Sequence, residues 1–531
     1  FRADRAAMPL SALCWNGGVA AVAVEPYSQS EAGTIRNGVF AALPDAFGVS
    51  LGYTNDPVTF KNRSTAAPST RNMACKAQTS GTIYLRHGPR TELHEIIRQE
   101  YARHQDRAVP RNTLRQAVQG MLDTFAYQNF DAAAGEYTNR CCRPPRETEM
   151  RPWRLVTEIG WTGGGVLAYP LVLCRDALGA DAEAPLAAAM SGEQLFDRIA
   201  DAYNENSGLL NDLMVPNAAG SQVNGWWTGY GLVKDCHCAY TVGSAVHYLT
   251  KTMDYLHQNG KPCPAKWMDA AQKVLHTVMD LQRADGAFGY TYSTQERKVL
   301  DWSGFAGCWF APALVYLYRL TGEERCLHSA EKALDYYHTF VKDLNCYGTP
   351  MDTWKAVDEE GNLAFMRGSR LLYEQTGKAE FLQYMKDSAG YEFLWRYGYK
   401  TYPEHTPLNQ GWSACGGAVT SVSNPHIHPM GVIIDTDLRY LARVTGDGYY
   451  ASRAADSAAW MLQCLELYPA ATGYGRYGIL SERWCPSDGL DVERFSDGRP
   501  FSSWFSHNLW ASACVLEAAC ELLLEIEHKK G

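Results

Sequence analysis

Apolar residues recur at helical spacing through most of the chain, from about residue 112 to residue 526. Amphipathic segments alternate with segments that are apolar on nearly every face. An amphipathic helix covers a core from outside, whereas a helix that is apolar all round lies inside it. The pattern therefore predicts six pairs of an outer and an inner helix, at 112–128 with 160–178, 191–206 with 236–257, 265–283 with 302–321, 324–343 with 362–376, 378–397 with 427–445, and 447–466 with 503–526.

Glycine marks the ends of three predicted inner helices, at the segments LTG (320–322), QTG (375–377) and VTG (444–446). Glycine permits the left-handed turn that stops a helix, and the short connection that follows makes the flanking helices antiparallel. The loops that lead from outer to inner helices are longer. Long loops inside a compact domain are usually functional. Six such hairpins can close into an (α/α)6 toroid, a mainly α fold that gathers these six loops at one end, here called the mouth.

The first 90 residues have a different pattern, with short β-branched or aromatic stretches separated by Gly, Pro, Asn and Ser. This pattern is typical of strands and predicts a β-rich, sandwich-like N-terminal region at 1–90. Residues 91–110 contain apolar positions at helical spacing, Leu93, Ile96, Ile97 and Tyr101, and predict a linker helix. The toroid is expected at 111–531.

Composition narrows the classes of function. The 531 residues carry a net charge of −9 without a Lys/Arg stripe, so no nucleic-acid partner is expected. No apolar run is long enough to span a bilayer, so no membrane partner is expected either. The 16 cysteines lie at irregular spacing, which favours buried thiols in a reducing, cytoplasmic setting over a disulfide framework. No cofactor is expected, and assembly into a homo-oligomer stays open.

Each of the six loops places Trp beside polar or charged groups, and the chain holds 15 Trp and 31 Tyr. Aromatic faces in a cleft suit sugar rings, although they also fill helical cores. The residues expected to wall or bind a sugar are Trp161, Trp227, Lys234, His237, Tyr290, Trp302, Trp354, Trp412, His426, His428, Arg499 and Trp504. The cations and imidazoles among them suit a uronate carboxylate, because charge-assisted hydrogen bonds favour that group.

Glycosidic bond cleavage needs a proton donor for the leaving oxygen and a second carboxylate. Asp301 is interpreted as the N-cap of the third inner helix at the mouth, where it serves as the proton donor. Asp352 or Glu158 would supply the second carboxylate, and Glu359 is a weaker candidate. Asp435 and Asp437 lie within an inner helix and are interpreted as structural hydrogen-bond partners.

Two short motifs raise the question of a metal. His426 and His428 stand two residues apart, but no carboxylate or His at fixed spacing completes a ligand set. The CHC segment at 236–238 lacks the paired spacing of a structural zinc site. The sequence therefore predicts no metal site.

The segment VLDWSGFAGCWFAPALVYLYRLTGEERCLHSAEKALDYY (299–337), with the similar cadence of YLARVTGDGYY (440–450), resembles the six-hairpin toroid glycosidases. The similarity is strongest to unsaturated glucuronyl and rhamnogalacturonyl hydrolases and β-glucuronidase-like relatives. That resemblance implies that Asp301 is the general acid/base. The N-terminal β-rich region is a departure from the simplest members, and no clear equivalent of their second catalytic Asp is present.

The expected function is that of an exo-acting glycoside hydrolase on an oligosaccharide or glycoside with a uronic acid or similar sugar. A sugar epimerase or polysaccharide lyase on the same ring is the first alternative, with His237, His426 and Tyr240 leading proton abstraction. A non-catalytic carbohydrate-binding protein is the second. Product analysis separates the enzymes, because a lyase creates a double bond, an epimerase conserves mass and a hydrolase adds water.

Overall fold

Our computed structural model describes residues 3–30, 33–36, 39–42, 47–50, 59–60, 63–64, 82–131, 136–141, 151–155, 159, 164–179, 183–211, 225–228, 231–349, 355–401, 411–422, 424–467, 478–484, 486, 506–507 and 509–528. Thirteen α-helices account for about half of these residues. A single helix, α1 (Leu93–His104), precedes the ring. The outer helices are α2 (Leu114–Thr124), α4 (Glu183–Asp201), α6 (Ala265–Asp280), α8 (Glu324–Lys342), α10 (Ala379–Glu392) and α12 (Gly448–Cys464). The inner helices are α3 (Gly165–Leu178), α5 (Ala239–Gln258), α7 (Phe310–Thr321), α9 (Glu360–Thr376), α11 (Asp435–Thr445) and α13 (Leu509–His528).

The inner helices close into a ring. Each packs against the next in chain order, and α13 returns to pack against α3. The outer helices cover them, with α4 on α3, α6 on α5, α8 on α7, α10 on α9 and α12 on α11. The six predicted hairpins and the mainly α, (α/α)6 toroid fold are confirmed.

Local sequence explains where several helices begin and end. Thr113 caps α2 in a reciprocal capping box with Gln116. The inner helices α7, α9 and α11 end at Gly322, Gly377 and Gly446, which have φ values of 72°, 64° and 70°. These are the left-handed stops that the sequence predicts, because a side chain at this φ would be strained.

The axis of the ring is filled by buried ion pairs as well as apolar side chains. Lys251 on α5 donates to Glu517 on α13 at 2.5 Å, and both side chains are at most 5 % exposed. Arg367 on α9 donates to Asp437 on α11 at 2.7 Å. Asp437 is thus a structural hydrogen-bond partner within the ring, as predicted.

Short strands form the N-terminal region and the loops at the mouth. The first nine are β1 (Leu10–Trp15), β2 (Gly18–Val24), β3 (Tyr27–Ser30), β4 (Gly33–Arg36), β5 (Val39–Ala42), β6 (Phe47–Ser50), β7 (Thr59–Phe60), β8 (Arg63–Ser64) and β9 (Ile83–Gly88). The ring contains β10 (Phe130–Asp131), β11 (Glu136–Cys141), β12 (Arg151–Leu155), β13 (Tyr203–Asn204), β14 (Leu209–Leu210), β15 (Gly225–Thr228), β16 (Gly231–Lys234), β17 (Cys236–Cys238), β18 (Thr291–Ser293), β19 (Val299–Asp301), β20 (Ala418–Ser421), β21 (Asn424–His428) and β22 (Ser506–His507).

The N-terminal strands include an antiparallel sheet in the order β1–β2–β9. Helix α1 follows this sheet and is fixed to the outer helix α12. Arg98 pairs with Asp447 at 2.7 Å, and the Tyr101 hydroxyl donates to Asp456 at 2.6 Å. The four apolar residues that predict the linker helix are all buried.

Candidate active site

Strands from different loops pair with one another at the mouth, beginning with the second and third loops. Strand β17 pairs with β18, where Cys236 lies opposite Ser293, and β18 pairs with β19. The amide of Tyr290 donates to the carbonyl of Asp301 at 2.7 Å. The residues just before inner helix α5 are therefore joined to those just before α7.

Main-chain bonds carry this connection to the fourth and fifth loops. The amide of Phe305 donates to the carbonyl of Tyr347 at 2.8 Å, and Tyr347 bridges Val357. The amide of Glu359 then donates to the carbonyl of Thr420 at 2.8 Å. The start of α9 is thereby tied to the fifth loop.

The connection continues to the sixth and first loops. Ile427 and Trp484 exchange two main-chain hydrogen bonds of 2.9 and 3.0 Å. Strand β22 pairs with β11, with His507 opposite Arg140. We call this band the collar, consisting of β11, β17–β22, Tyr290, Phe305, Tyr347, residues 357–359 and Trp484. Because it runs along the N-terminal ends of inner helices, it brings residues distant in sequence to the mouth.

Asp301 lies at the end of strand β19, not at the N-cap of inner helix α7. A 3-10 turn at Ala306–Trp309 leads into that helix, so the predicted N-cap position is wrong. The Asp301 carboxylate accepts hydrogen bonds from Lys355 Nζ at 2.5 Å and from the Ser303 hydroxyl at 2.6 Å. It also accepts from the Ser303 amide at 2.8 Å, which fixes its orientation. Collar pairing, rather than a helix cap, holds Asp301 in place.

The surroundings of Asp301 favour its ionised form. Partial burial raises the pKa of this carboxyl, but the hydrogen bonds from Lys355 and Ser303 outweigh burial and hold the pKa below its usual range. The same ammonium lies 4.5 Å from the centre of the Tyr290 ring. The Asp301 carboxylate is thus paired with the Lys355 ammonium, which lies over the Tyr290 ring.

Glu359 provides a second carboxyl on the collar, immediately before α9. Its side chain is fully buried, and neither of its oxygens accepts a hydrogen bond from a donor in the described part of the chain. Burial and the adjacent Glu392 carboxyl raise the pKa of Glu359 well above its usual value. Two buried carboxyls that border each other are costly to ionise together, so this environment favours the protonated form of Glu359.

His426 and His428 lie on strand β21 of the collar, and both are buried. The His428 ring is 5.8 Å from the Trp510 ring at the start of α13. Burial, with the nearby Arg483 and His426, lowers the pKa of His428 well below its usual value. This environment therefore favours the neutral imidazole form of His428.

His237 is fully buried on β17, where its Nε2 hydrogen-bonds the Ser207 hydroxyl at 2.8 Å. Burial lowers the pKa of His237 to about 4. Tyr240, at the start of α5, lies beside Met430, with 3.7 Å from its hydroxyl to the sulfur. Its pKa is raised by burial and by the nearby Glu360.

The described tryptophan candidates differ in what they contact. Trp302 is half-buried, and the Arg283 guanidinium lies 5.2 Å from its ring centre. Trp412 is 3 % exposed, and its indole N–H donates to the Cys464 sulfur on α12 at 3.5 Å. Trp412 is therefore a packing residue between its loop and α12, rather than an open stacking surface.

Several predicted site residues fall outside what the structure describes. These are Glu158, Asp352, Trp161, Trp354, Arg499 and Trp504. Trp227 and Lys234 lie on the paired strands β15 and β16, of which only the backbone is described.

Sequence reasoning did not find Glu392, the last residue of outer helix α10, or Arg396 just beyond it, although both lie near Glu359. The i,i+4 spacing of Glu392 and Arg396 is common on exposed helices, so it gives no signal of a buried role. Among the described residues, no group of three His, Cys, Asp or Glu side chains is arranged to hold a metal. The described helices include none that is long and apolar enough to cross a membrane.

No protein-family model and no curated protein sequence matches this chain. Solved structures are similar in fold. A cellobiose 2-epimerase from Spirochaeta thermophila is 13 % identical, with 83 % of this chain and 100 % of that chain covered and a TM-score of 0.51. A D-mannose isomerase is 11 % identical, with 78 % and 97 % covered and a TM-score of 0.50. A family 76 glycoside hydrolase (mannosidase) from Bacteroides thetaiotaomicron is 12 % identical, with 78 % and 99 % covered and a TM-score of 0.49. The chain thus has the six-hairpin toroid fold of the epimerase and the isomerase, as the sequence predicts.

Proposed function

We propose that this protein is a glycoside hydrolase that acts at the collar, with Glu359 as the proton donor and Asp301 as the ionised carboxylate. One observation carries the proposal: two carboxyls on the same collar lie in environments that push their pKa values in opposite directions. Such a separation is how one site keeps an acid and a base ready at the same pH. This assignment reverses the role that the sequence suggests for Asp301.

The collar relates the two carboxyls in space. Lys355, which bonds Asp301, is four residues before Glu359 in the chain. Four extended residues span at most about 14 Å, which limits the distance between the Cα atoms of Lys355 and Glu359. Glycosidases separate their carboxyls by about 5–10 Å, with the smaller distance for retention of configuration.

In the proposed reaction Glu359 gives its proton to the glycosidic oxygen as the bond from that oxygen to the anomeric carbon breaks. Asp301 either attacks the anomeric carbon or takes a proton from the water that does so. The hydroxyl of water ends on the anomeric carbon. The water proton passes to Glu359 when Asp301 has attacked the carbon; when Asp301 takes this proton itself, it releases it to solvent and Glu359 takes one up from solvent. The substrate class within this proposal is a glycoside with a terminal uronic acid or similar sugar, cleaved by exo action.

A screen of aryl glycosides and aryl uronides, read for released phenol, tests this function. On a cleaved substrate we expect Glu359→Gln and Asp301→Asn each to lower kcat by about 10²–10⁴-fold, the usual contribution of an acid or base. Asp352→Asn belongs in the same series, because Asp352 stays a predicted second carboxylate.

The matched control is Glu331→Gln, which removes a carboxylate on outer helix α8 that pairs only with Lys378 among the described contacts. This variant should keep wild-type turnover. Near wild-type turnover of Glu359→Gln on a cleaved substrate would show that Glu359 is not the acid. A protein that binds but cleaves none of the panel would point to the carbohydrate-binding alternative.

The neutral His428 favours a second candidate, a sugar isomerase or epimerase that abstracts a carbon-bound proton. His428, His426 and Tyr240 would carry that reaction at the same collar. Incubation of free mono- and disaccharides in deuterated water separates the two functions. Deuterium bound to carbon in the recovered sugar supports the isomerase, whereas a hydrolase leaves carbon-bound hydrogen unchanged.

A further inference from the structure

Arg396, just beyond the end of α10, is the centre of a fully buried polar cluster. Its Nη1 donates to Asp435 at 2.8 Å, and its Nε donates to Glu392 at 2.9 Å. Its Nη2 donates to the carbonyl of Gly431 at 2.7 Å. Arg396 and Glu392 are 0 % exposed, and Asp435 is 1 % exposed.

Glu359 completes the cluster from the opposite side. A Cβ placed on Gly431 would lie 2.4 Å from Glu359 Oε1 and 3.3 Å from Glu392 Oε1, so both carboxyls border this glycine. Because Gly431 has no side chain, the Glu359 and Glu392 carboxyls can lie near each other at this position.

The charges in this cluster do not balance if every carboxyl is ionised. One guanidinium faces three carboxyls, those of Glu359, Glu392 and Asp435. Burying an uncompensated carboxylate is costly, so at least one of the three retains a proton. Arg396 bonds Glu392 and Asp435 directly, which leaves Glu359 as the carboxyl without a cation in contact.

Among the described residues that act most strongly on Glu359, the remaining groups do not supply that cation. Glu360 on α9 is a further carboxyl, and Cys514 on α13 is a buried thiol whose pKa is raised by burial. The elements packed around Glu359 thus contribute acidic groups, with Arg396 as the one positive charge among those that act on it most strongly.

We propose that Glu392, Arg396 and Asp435 are positioning residues that keep the catalytic proton on Glu359. Arg396 holds the Glu392 carboxyl in place beside Glu359, and Asp435 fixes the guanidinium from its other side. A hydrogen bond from protonated Glu359 to Glu392 then keeps the proton in place until substrate arrives. This inference rests on the proposed function for the role of Glu359, but the state of its proton can be measured without any substrate.

Infrared spectroscopy provides the first test. The folded wild-type protein at pH 7 should show the carbonyl stretch of protonated carboxylic acids, and Glu359→Gln should lower its intensity. In Glu392→Gln the neighbouring carboxyl is gone, so Glu359 should ionise at lower pH, and its part of the band should disappear at lower pH than in the wild type. Absence of a band that depends on Glu359 would overturn the inference.

The pH dependence of turnover provides the second test, on whichever substrate the screen identifies. In Glu392→Gln the alkaline limb of the profile should move to lower pH by about one pH unit. At a given pH on that limb, activity should then be about tenfold lower. Asp435→Asn should shift the same limb. A purely structural role would lower stability without moving the limb.

Glu374→Gln is the matched control, since Glu374 also pairs with arginines, Arg319 and Arg370, but at the opposite end of the ring. It should change neither the band nor the limb. If Glu359→Gln is inactive while Glu392→Gln leaves the band and the limb unmoved, the proposed function stands and this inference fails. If Glu359→Gln is fully active, both are wrong.

Discussion

Lys355 has a backbone conformation that residues other than glycine rarely adopt, with φ of 56°. This conformation costs energy, and its persistence indicates that surrounding contacts hold the residue in place. The contacts are the bonds from its ammonium to Asp301 and Ser303, and its position over the Tyr290 ring. A strained lysine whose head group fixes a collar carboxylate is a feature typical of functional sites.

Replacing Lys355 by Met should raise the pKa of Asp301, because the hydrogen bond and charge that hold it down are lost. An ionised Asp301 is required in the proposed reaction, so the acid limb of the pH–activity profile should move to higher pH. The ion pair also stabilises the fold above the ordinary pKa of Asp, and this contribution is lost as pH falls through the lowered pKa.

The pH profile of kcat/KM measures the effect of Lys355→Met. Lys298→Met is its control, because Lys298 is 61 % exposed and pairs with Glu296 on the surface. An acid limb that stays in place in Lys355→Met would mean that Asp301 is not the group whose ionisation limits the rate.

The sequence predicted part of this site. It placed Asp301 at the mouth beside Tyr290 and Trp302, and the amide of Tyr290 does bond the carbonyl of Asp301. It did not predict Lys355 as the partner, because that contact joins residues 54 apart through a loop of irregular pattern. Glu359 was only a weaker candidate in the sequence, because its raised pKa depends on burial and on Glu392, which lies on another helix.

The inner helices combine apolar surfaces with a few charged residues that face the axis. On α5 and α13, Lys251 bonds Glu517 at 2.5 Å and Glu521 at 2.8 Å. Removing the cation of such a buried cluster leaves uncompensated charge, which is more damaging than losing a surface pair. These charges therefore connect two inner helices that are far apart in sequence.

Lys251→Met should lower the free energy of unfolding by about 3–5 kcal/mol, measured by urea denaturation. Lys266→Met is the control, because Lys266 is 43 % exposed and pairs with exposed aspartates. The control should change stability by less than about 1 kcal/mol. Equal effects of the two substitutions would show that burial of the Lys251 cluster does not matter.

The number and order of the ring helices were predictable because periodicity and glycine stops are local signals. Their starts were less accurate, since α4, α7 and α11 each begin eight residues from the predicted position. A 3-10 turn at Met430–Ile434 precedes α11, and short strands occupy loops in which no strand was predicted. Those strands exist because loops distant in sequence pair with one another, a context that single-chain propensity does not contain.

At the scale of the whole molecule, the last helix closes the ring. Helix α13 packs against α2 and α3 as well as α11 and α12, and its residues from Leu509 to Cys520 are buried. The packing of the first hairpin, α2 and α3, is therefore completed by α13.

A chain ending at residue 505 should fail to form a cooperatively folded toroid, because the surface that α13 covers would be exposed. Circular dichroism and thermal unfolding measure this. The control is the full chain with Glu525→Gln, which changes α13 near its end, where Glu525 pairs with Arg439 and Arg443. A truncated chain with the melting cooperativity of the intact protein would show that ring closure is not required.

The collar joins its loops through backbone amides and carbonyls rather than through side chains. Main-chain hydrogen bonds of this kind depend little on which amino acid occupies each position. Substitutions can therefore exchange one reactive group for another while the scaffold persists, and a single architecture can support divergent chemistries.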